Sequence, residues 1–362
     1  MPTRPLVIRY EDDLKLFPGL WHKAGGVLML AVALGYPWLA SARWLTVGNL
    51  GLVAIVGAAA LMVLTGFSGQ VSLGHAAFLA LGAYTVAVLG TKWGWPFWLA
   101  LPLAGAVSAL VGVVIGVFAL RLKGLYLAIV TLGLVFLTQH VLLAYPEVTN
   151  GLSGTSVPMY WWFRGESGTA ASVGDTWMLG PVVLGFERKL YFLFLPLAAG
   201  TVWLTKNVQR SNSGRAMMAV RDQDLAAEVL GVATTQARLQ AFGVSSFLAG
   251  IAGAMFAFQQ QYITVEPPFD LNLSIQFIAM IVLGGVGSVF GAVSGALAFT
   301  FLSPLAESVG HAIPLINQLT SAQQATVLLS VVVVLVLVLE PLGLFGVWLR
   351  IRRYFLAWPF RY

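Results

Sequence analysis

Apolar runs separated by short polar joints repeat along almost the whole chain, and most are close to the length one helix needs to cross a bilayer. A crossing takes about 20 apolar residues, because the hydrocarbon core is about 30 Å thick and a helix rises about 1.5 Å per residue. No carboxylate occurs between Asp13 and Glu147, and no Lys or Arg between Leu239 and Leu349. The pattern predicts an all-α polytopic membrane protein with about ten spans, near 24–40, 44–65, 74–91, 96–120, 124–143, 190–205, 239–260, 273–286, 289–303 and 323–340.

Two glycine-rich segments interrupt this pattern in the same way, Gly66 to His75 between the second and third runs and Gly284 to Gly291 between the eighth and ninth. Glycine costs about 1 kcal/mol against alanine inside a helix, so such clusters mark turns, unwound backbone or very close packing. Paired breaks in the two halves predict an internal repeat lining a central path. The expected path residues are Gly66, Ser68, Gly69, Gln70, Ser72, Gly74 and His75 on the first break, and Gly284, Gly285, Gly287, Ser288 and Gly291 on the second. Ser68, Gln70 and Ser72 offer donors and acceptors, and a helix starting near Leu73 would present free N–H groups to an anionic ligand. A charged His75 in a span would be expensive, so a neutral, hydrogen-bonded structural role is preferred over a ligand role. Gly287, Gly291 and Gly295, like Ser246, Gly250 and Ala254, recur at four-residue spacing, which lets helix backbones approach closely inside the bundle.

Charge adds an orientation. Ten crossings put both termini on one side, and taking that side as cytoplasmic places 15 of the 20 basic residues inside, leaving Arg43, Lys92, Arg164, Arg188 and Lys189 outside. The chain then divides into a cytoplasmic N-terminal segment (1–23), a transmembrane domain (24–349) and a basic, aromatic cytoplasmic tail (350–362). Within the domain lie an extracytoplasmic loop (144–189) and a charged cytoplasmic island (206–238). With 9% charged residues the excess of basic groups reads as loop charge facing the bilayer and cytoplasm, not as a nucleic-acid surface. The chain has no cysteine, which removes disulfide and thiol chemistry.

Enzymatic chemistry finds no support. The chain has no phosphate-binding Gly-Lys-Ser/Thr loop and no His-Glu-x-x-His helix, and its four histidines, His22, His75, His140 and His311, are far apart in sequence. Glu147, Glu266, Asp270 and Glu307 fall in expected outer loops and Glu340 at an inner helix end, so the carboxylate relay of a proton-coupled carrier is missing. In the island, Asp224 is the expected N-cap of a short helix, Leu225 to Leu230, that Gly231 terminates. Two turns are not stable alone, so the segment needs flanking structure or a partner, and Leu225 with Val229 forms an apolar ridge suited to a groove on another protein. From spacing alone, an ordinary solvated loop is the competing reading.

The run Ser213 to Gly231, with Ala226-Ala227-Glu228 and Gly231, resembles the cytoplasmic coupling segment of branched-chain amino acid ABC transporter permeases, the LivM-like family. Gly66 to Tyr84 resembles that family's early signature, and Thr149-Asn150-Gly151 and the run Gly284 to Gly291 fit as well. The resemblance implies a non-enzymatic transport subunit of the prokaryotic inner membrane. Its implied partners are a second related permease, two cytoplasmic ATPase subunits that bind the ATP and Mg, and an extracytoplasmic solute-binding protein, with no cofactor in this chain. It also implies that Arg221, Asp222, Asp224, Ala226, Ala227, Glu228 and Gly231 transmit ATPase motion to the spans. The family includes permeases for urea and short amides, so the solute stays open. An autonomous secondary carrier or channel is the alternative that the broken helices alone would allow.

Overall fold

The computed structural model describes residues 20–357 except 120–121, 123, 164–172, 174–176, 180–181 and 311–319. The N-terminal segment up to residue 19, Arg121, Lys123, Arg164, His311 and the last five tail residues lie outside the described residues.

The molecule is a bundle of helices, as the alternation of apolar runs and joints predicts. In chain order they are α1 (Leu20–Leu39), α2 (Ala42–Leu61), α3 (His75–Trp93), α4 (Phe97–Ala119), α5 (Leu125–Ala144), the single turn α6 (Pro146–Thr149), α7 (Phe186–Arg210), α8 (Asn212–Asp222), α9 (Asp224–Val229), α10 (Thr234–Gln260), α11 (Leu271–Gly284), α12 (Val289–Gly310), α13 (Ser321–Leu339) and α14 (Gly343–Ala357). Two short antiparallel pairs decorate one end, β1 (Thr155–Ser156) with β4 (Tyr262–Ile263) and β2 (Trp177–Leu179) with β3 (Val182–Leu184).

Among the described residues, six helices are long and apolar enough to cross a membrane, and a seventh crossing is available if α13 and α14, bent by 46°, count as one. Three of the ten expected spans fall short of that measure. The described apolar part of α1 is Leu30–Leu39, the uncharged part of α7 runs only from 190 to 205 between Lys189 and Lys206, and α11 has 14 residues. At about 1.5 Å per residue α11 spans about 21 Å, less than a bilayer core, because Asp270 caps its start and Gly285 at φ 115° ends it. The expected loop around Glu307 is also displaced, since α12 stays helical through Gly310.

α2 is the axis of the bundle. Val56 and Ala58 through Val63 have no exposed surface, enclosed by α7, α10, α11 and α12. The equally apolar α13 does the opposite and turns Val331, Val334, Leu335 and Val338 outward, as a lipid-facing helix must. Small residues set the closest crossings. A Cβ on Gly82 would strike the Gly250 backbone, one on Gly250 would strike Ser108 and the Ala104 carbonyl, and one on Gly112 would strike Ser246. The Ser246 and Gly250 positions thus serve packing of α10 against α3 and α4 within one chain.

At the end of the bundle that carries the β pairs, α6 and the loop following it are strapped down. Lys92 Nζ donates to the Glu147 carbonyl, Trp98 Nε1 donates to the Trp161 carbonyl at 3.0 Å, and Phe97 meets Trp161 edge-on at 5.1 Å. Glu187, in the first turn of α7, accepts from Asn49 Nδ2 at 2.8 Å and from Gln259 Nε2 at 3.0 Å, tying α7 to α2 and α10.

Candidate functional site

The opposite end holds the charged island and both glycine breaks. α2 leaves regular helical geometry at Met62–Phe67, one wide π turn, and the chain then runs without regular secondary structure from Ser68 to Gly74 before α3 begins. Gly69 lies at φ 69°, a conformation that penalises a side chain. Ser68 and Gln70 are buried and bonded within the junction. Ser68 Oγ donates to the Leu64 carbonyl at 2.6 Å, and Gln70 Nε2 donates to Ser68 Oγ at 2.7 Å and to the Arg238 carbonyl at 3.4 Å.

The amides expected to be free at the start of α3 are already occupied. Leu73 N–H donates to Thr131 Oγ1 at 3.0 Å, Gly74 N–H to Ser72 Oγ at 3.2 Å and Ala76 N–H to Ser274 Oγ at 2.9 Å. Side chains from α5 and α11 therefore replace the anion that the sequence left room for. His75 is fully enclosed, packs edge-on against Phe277 at 4.9 Å, and leaves Nε2 without a partner. The hydrogen-bonded structural role expected for it is met by a bond to the Gly57 backbone together with the ring packing.

The second break is closed by backbone rather than by side chains. A Cβ on Gly284 would strike the Gly291 carbonyl and Gly295, one on Gly291 would strike the Gly285 carbonyl, and one on Gly285 would strike the Leu342 carbonyl. Ser288 Oγ accepts from Gly291 N–H at 2.8 Å and so caps α12. These glycines hold α11, α12 and the start of α14 together.

The two breaks meet. Gly287 N–H points at Met62 Sδ at 3.1 Å, and Gly66 lies against both Met62 and Gly287. Into this junction comes Arg221, from the last turn of α8. Its Nη1 donates to the Gly66 carbonyl at 2.8 Å and lies beside Gly287, while Nε and Nη2 are each 2.8 Å from Asp222 Oδ1. One guanidinium therefore touches both breaks and the island at once, the multi-donor geometry for which Arg is suited and Lys is not. A cavity of about 520 Å³ opens beside it, walled by Ser68 to Gln70, Val220 to Leu225 and Arg238.

Sequence chemistry explains the shape of the island. Ser211 caps α8 by accepting from Gly214 N–H at 3.1 Å, and Gln223 at φ −158° breaks the helix before α9. Asp224 does not cap α9, contrary to expectation. It lies in the first turn and its carboxylate instead pairs with Arg238 on α10 at 2.7 Å, because the extended Gln223 occupies the cap position. α9 ends with Val232 N–H on the Ala227 carbonyl and Gly231 N–H on the Glu228 carbonyl, both 2.9 Å, with Gly231 at φ 83°. That paired closure requires a left-handed residue, which is glycine's part. Ala227 is buried, Ala226 and Glu228 face out, and Leu225, Val229 and Leu230 are 74%, 87% and 83% exposed. Sequence reasoning named these residues but not the contact of Arg221 with the breaks, nor Met62, Thr131, Ser274 and Arg238 as their partners.

Glycine-broken apolar helices, a buried axial helix and a charged island docked on the breaks define a multi-pass membrane protein of the permease class. The family described as "Branched-chain amino acid transport system / permease component" matches residues 43–339, and the chain belongs to it. The high-affinity branched-chain amino acid transport system permease protein LivM of Salmonella typhimurium (strain LT2) is 35% identical over 276 residues, covering 74% of this chain and 65% of that protein. LivM of Escherichia coli (strain K12) is 34% identical over 279 residues, 75% of this chain and 65% of that one. The autoinducer 2 import system permease protein LsrC of Enterobacter sp. (strain 638) is 30% identical over 255 residues, 69% of this chain and 66% of that one. The chain thus spans about 65% of the length of its LivM relatives. No solved structure matches it.

Proposed function

We propose that the chain is the membrane-spanning permease subunit of an ABC importer in the prokaryotic inner membrane, with both termini cytoplasmic. It pairs with a second related permease, two cytoplasmic ATPase subunits and an extracytoplasmic solute-binding protein. ATP and Mg are bound by the ATPase subunits, and this chain conducts solute without bond-making chemistry of its own. Branched-chain amino acids are the solute class, on the strength of the LivM relatives' names.

One observation carries this reading: Arg221, in the last turn of α8 and three residues before the start of α9, reaches the Gly66 carbonyl, while the apolar ridge of α9 faces outward. Leu225, Val229 and Leu230 are the kind of ridge that fits a groove on a partner. Force applied to α9 passes through Ala227 and the Asp224–Arg238 pair into α10, and through Arg221 into both breaks. Asp222 holds the Arg221 guanidinium in position, and Gly231 sets the angle at which α9 ends.

The test is recovery of an ATPase with the tagged chain in mild detergent, together with uptake of labelled leucine, at matched chain level. Wild type recovers the ATPase and takes up leucine. Glu228→Arg, and Leu225→Asp with Val229→Asp, lose both. Arg221→Ala keeps the ATPase and loses most uptake, since it cuts the link and not the dock. A well-folded wild type that brings down no ATPase, or ion-gradient-driven uptake by the chain alone, would move the secondary-carrier reading to the front.

A further inference from the structure

A second cavity, of about 400 Å³, lies at the far end of the bundle from Arg221, between α2, α10, α11 and α12. Its volume falls in the range of small-molecule sites, about 300–1,000 Å³. The deep wall is apolar, with Val53, Ala54, Phe277 and Met280, and the mouth carries one cation and one anion, Arg43 and Glu307. Val47 and Leu50 line the cavity one and two turns along α2 from Arg43, about 6 and 10 Å at the helical rise, so an apolar wall stands within a small solute's reach of the charges. Phe277 closes the deep wall by packing over Gly57 and edge-on against His75.

Arg43 Nη2 lies 3.3 Å from Glu307 Oε2, and the two side chains are 68% and 36% exposed. An ion pair this exposed adds little to stability. Each charge also stands at the helix end where the backbone dipole disfavours it, Arg43 in the first turn of α2 and Glu307 in the last turn of α12. Neither is placed for the good of its own helix. Pro304, inside α12, has no N–H, so the Thr300 carbonyl on the cavity wall lacks the backbone donor that a continuous helix would supply.

We infer that this cavity is a binding site within the membrane chain for a zwitterionic α-amino acid with a branched apolar side chain. The inference rests on the importer reading above and adds a selecting site in the permease itself. The solute carboxylate takes Arg43 and its ammonium takes Glu307 and the Thr300 carbonyl, exchanging one ion pair for two charge-assisted contacts. The branched side chain packs against Val47 and Leu50, the apolar wall nearest the two charges. Urea and short uncharged amides bring no charges to separate Arg43 from Glu307, so the site discriminates against them.

The experiment is binding of tritiated leucine to the purified full chain in lipid nanodiscs, with unfolding temperature measured on each variant. Wild type binds saturably, and isoleucine competes, whereas urea, 4-methylpentanoate and isoamylamine, the last two each lacking one charge, do not. Arg43→Met and Glu307→Gln weaken binding about ten-fold or more at unchanged unfolding temperature, and Arg43→Lys recovers it to within about three-fold. Leu50→Trp, which fills the apolar wall and leaves both charges, also weakens it. Absence of saturable binding by wild type, or wild-type affinity in both charge variants, overturns the site. Leucine uptake by the complete wild-type transporter separates the two readings. If the transporter imports leucine while the chain binds none, the site alone falls, and if it imports no amino acid the importer reading falls with it.

Discussion

The two glycine breaks look alike in sequence and are built differently. The Gly66–Gly74 break is held by side-chain hydrogen bonds, from Ser68, Gln70, Ser72, Thr131 and Ser274, and opens onto a cavity. The Gly284–Gly291 break is held by glycine backbones pressed together, with no room for a side chain at Gly284, Gly291 or Gly295. Side-chain bonds can exchange partners one at a time, whereas interlocked backbones move only as a unit. The first break is therefore the adjustable half of the junction and the second its anvil, with Arg221 resting on both.

Four outcomes sharpen or break that comparison. The largest effect is expected at the anvil: Gly284→Leu forces a side chain into the Gly291 backbone, and overpacking of about 1–3 kcal/mol or more should leave little folded chain by size-exclusion and thermal unfolding. A folded, active Gly284→Leu would refute the rigid half. Next comes Arg221→Lys, which keeps the charge but gives up the fork that spans Gly66 and Asp222; leucine uptake should fall about ten-fold with normal folding. Ser288→Ala removes the cap of α12 and should cost about 1 kcal/mol, read as a lowered unfolding temperature with uptake retained. Smallest is Gln70→Leu, whose lost hydrogen bonds are worth about 1 kcal/mol and are partly offset by apolar burial. It should shift the transport rate more than the unfolding temperature. A rate effect at Ser288 and none at Gln70 would reverse the roles assigned to the two breaks.

The ends of the bundle differ as well. At one, the charges are engaged, Arg221 on a backbone carbonyl and Asp224 on a largely buried Arg238. At the other, Glu187 and Lys92 are engaged as well, but Arg43 and Glu307 face an open cavity and each other. Engaged charges transmit position, and accessible ones exchange partners with a solute.

The helices, the positions of both breaks, the island and the glycine stop at Gly231 were legible in the sequence, because apolar runs and glycine punctuation are local signals. The coupling residues Arg221 to Gly231 were named from resemblance, and the path residues from the breaks. What the sequence left undecided is which face each residue meets. Gly284 and Gly291 were read from the break alone, without the backbones they press against, Asp224 was read as a cap and is an ion-pair partner, and Glu307 was placed in a loop and lies in a helix facing Arg43. Lipid is as apolar as a protein interior, so hydropathy cannot separate the enclosed α2 from the outward α13. The pairing of Arg221 with Gly66, 155 residues away, and of Arg43 with Glu307, 264 away, exists only once the bundle closes. Sequence determined where the chain is helical and where it breaks; tertiary structure alone decided which breaks meet, because those contacts join residues that no local pattern connects.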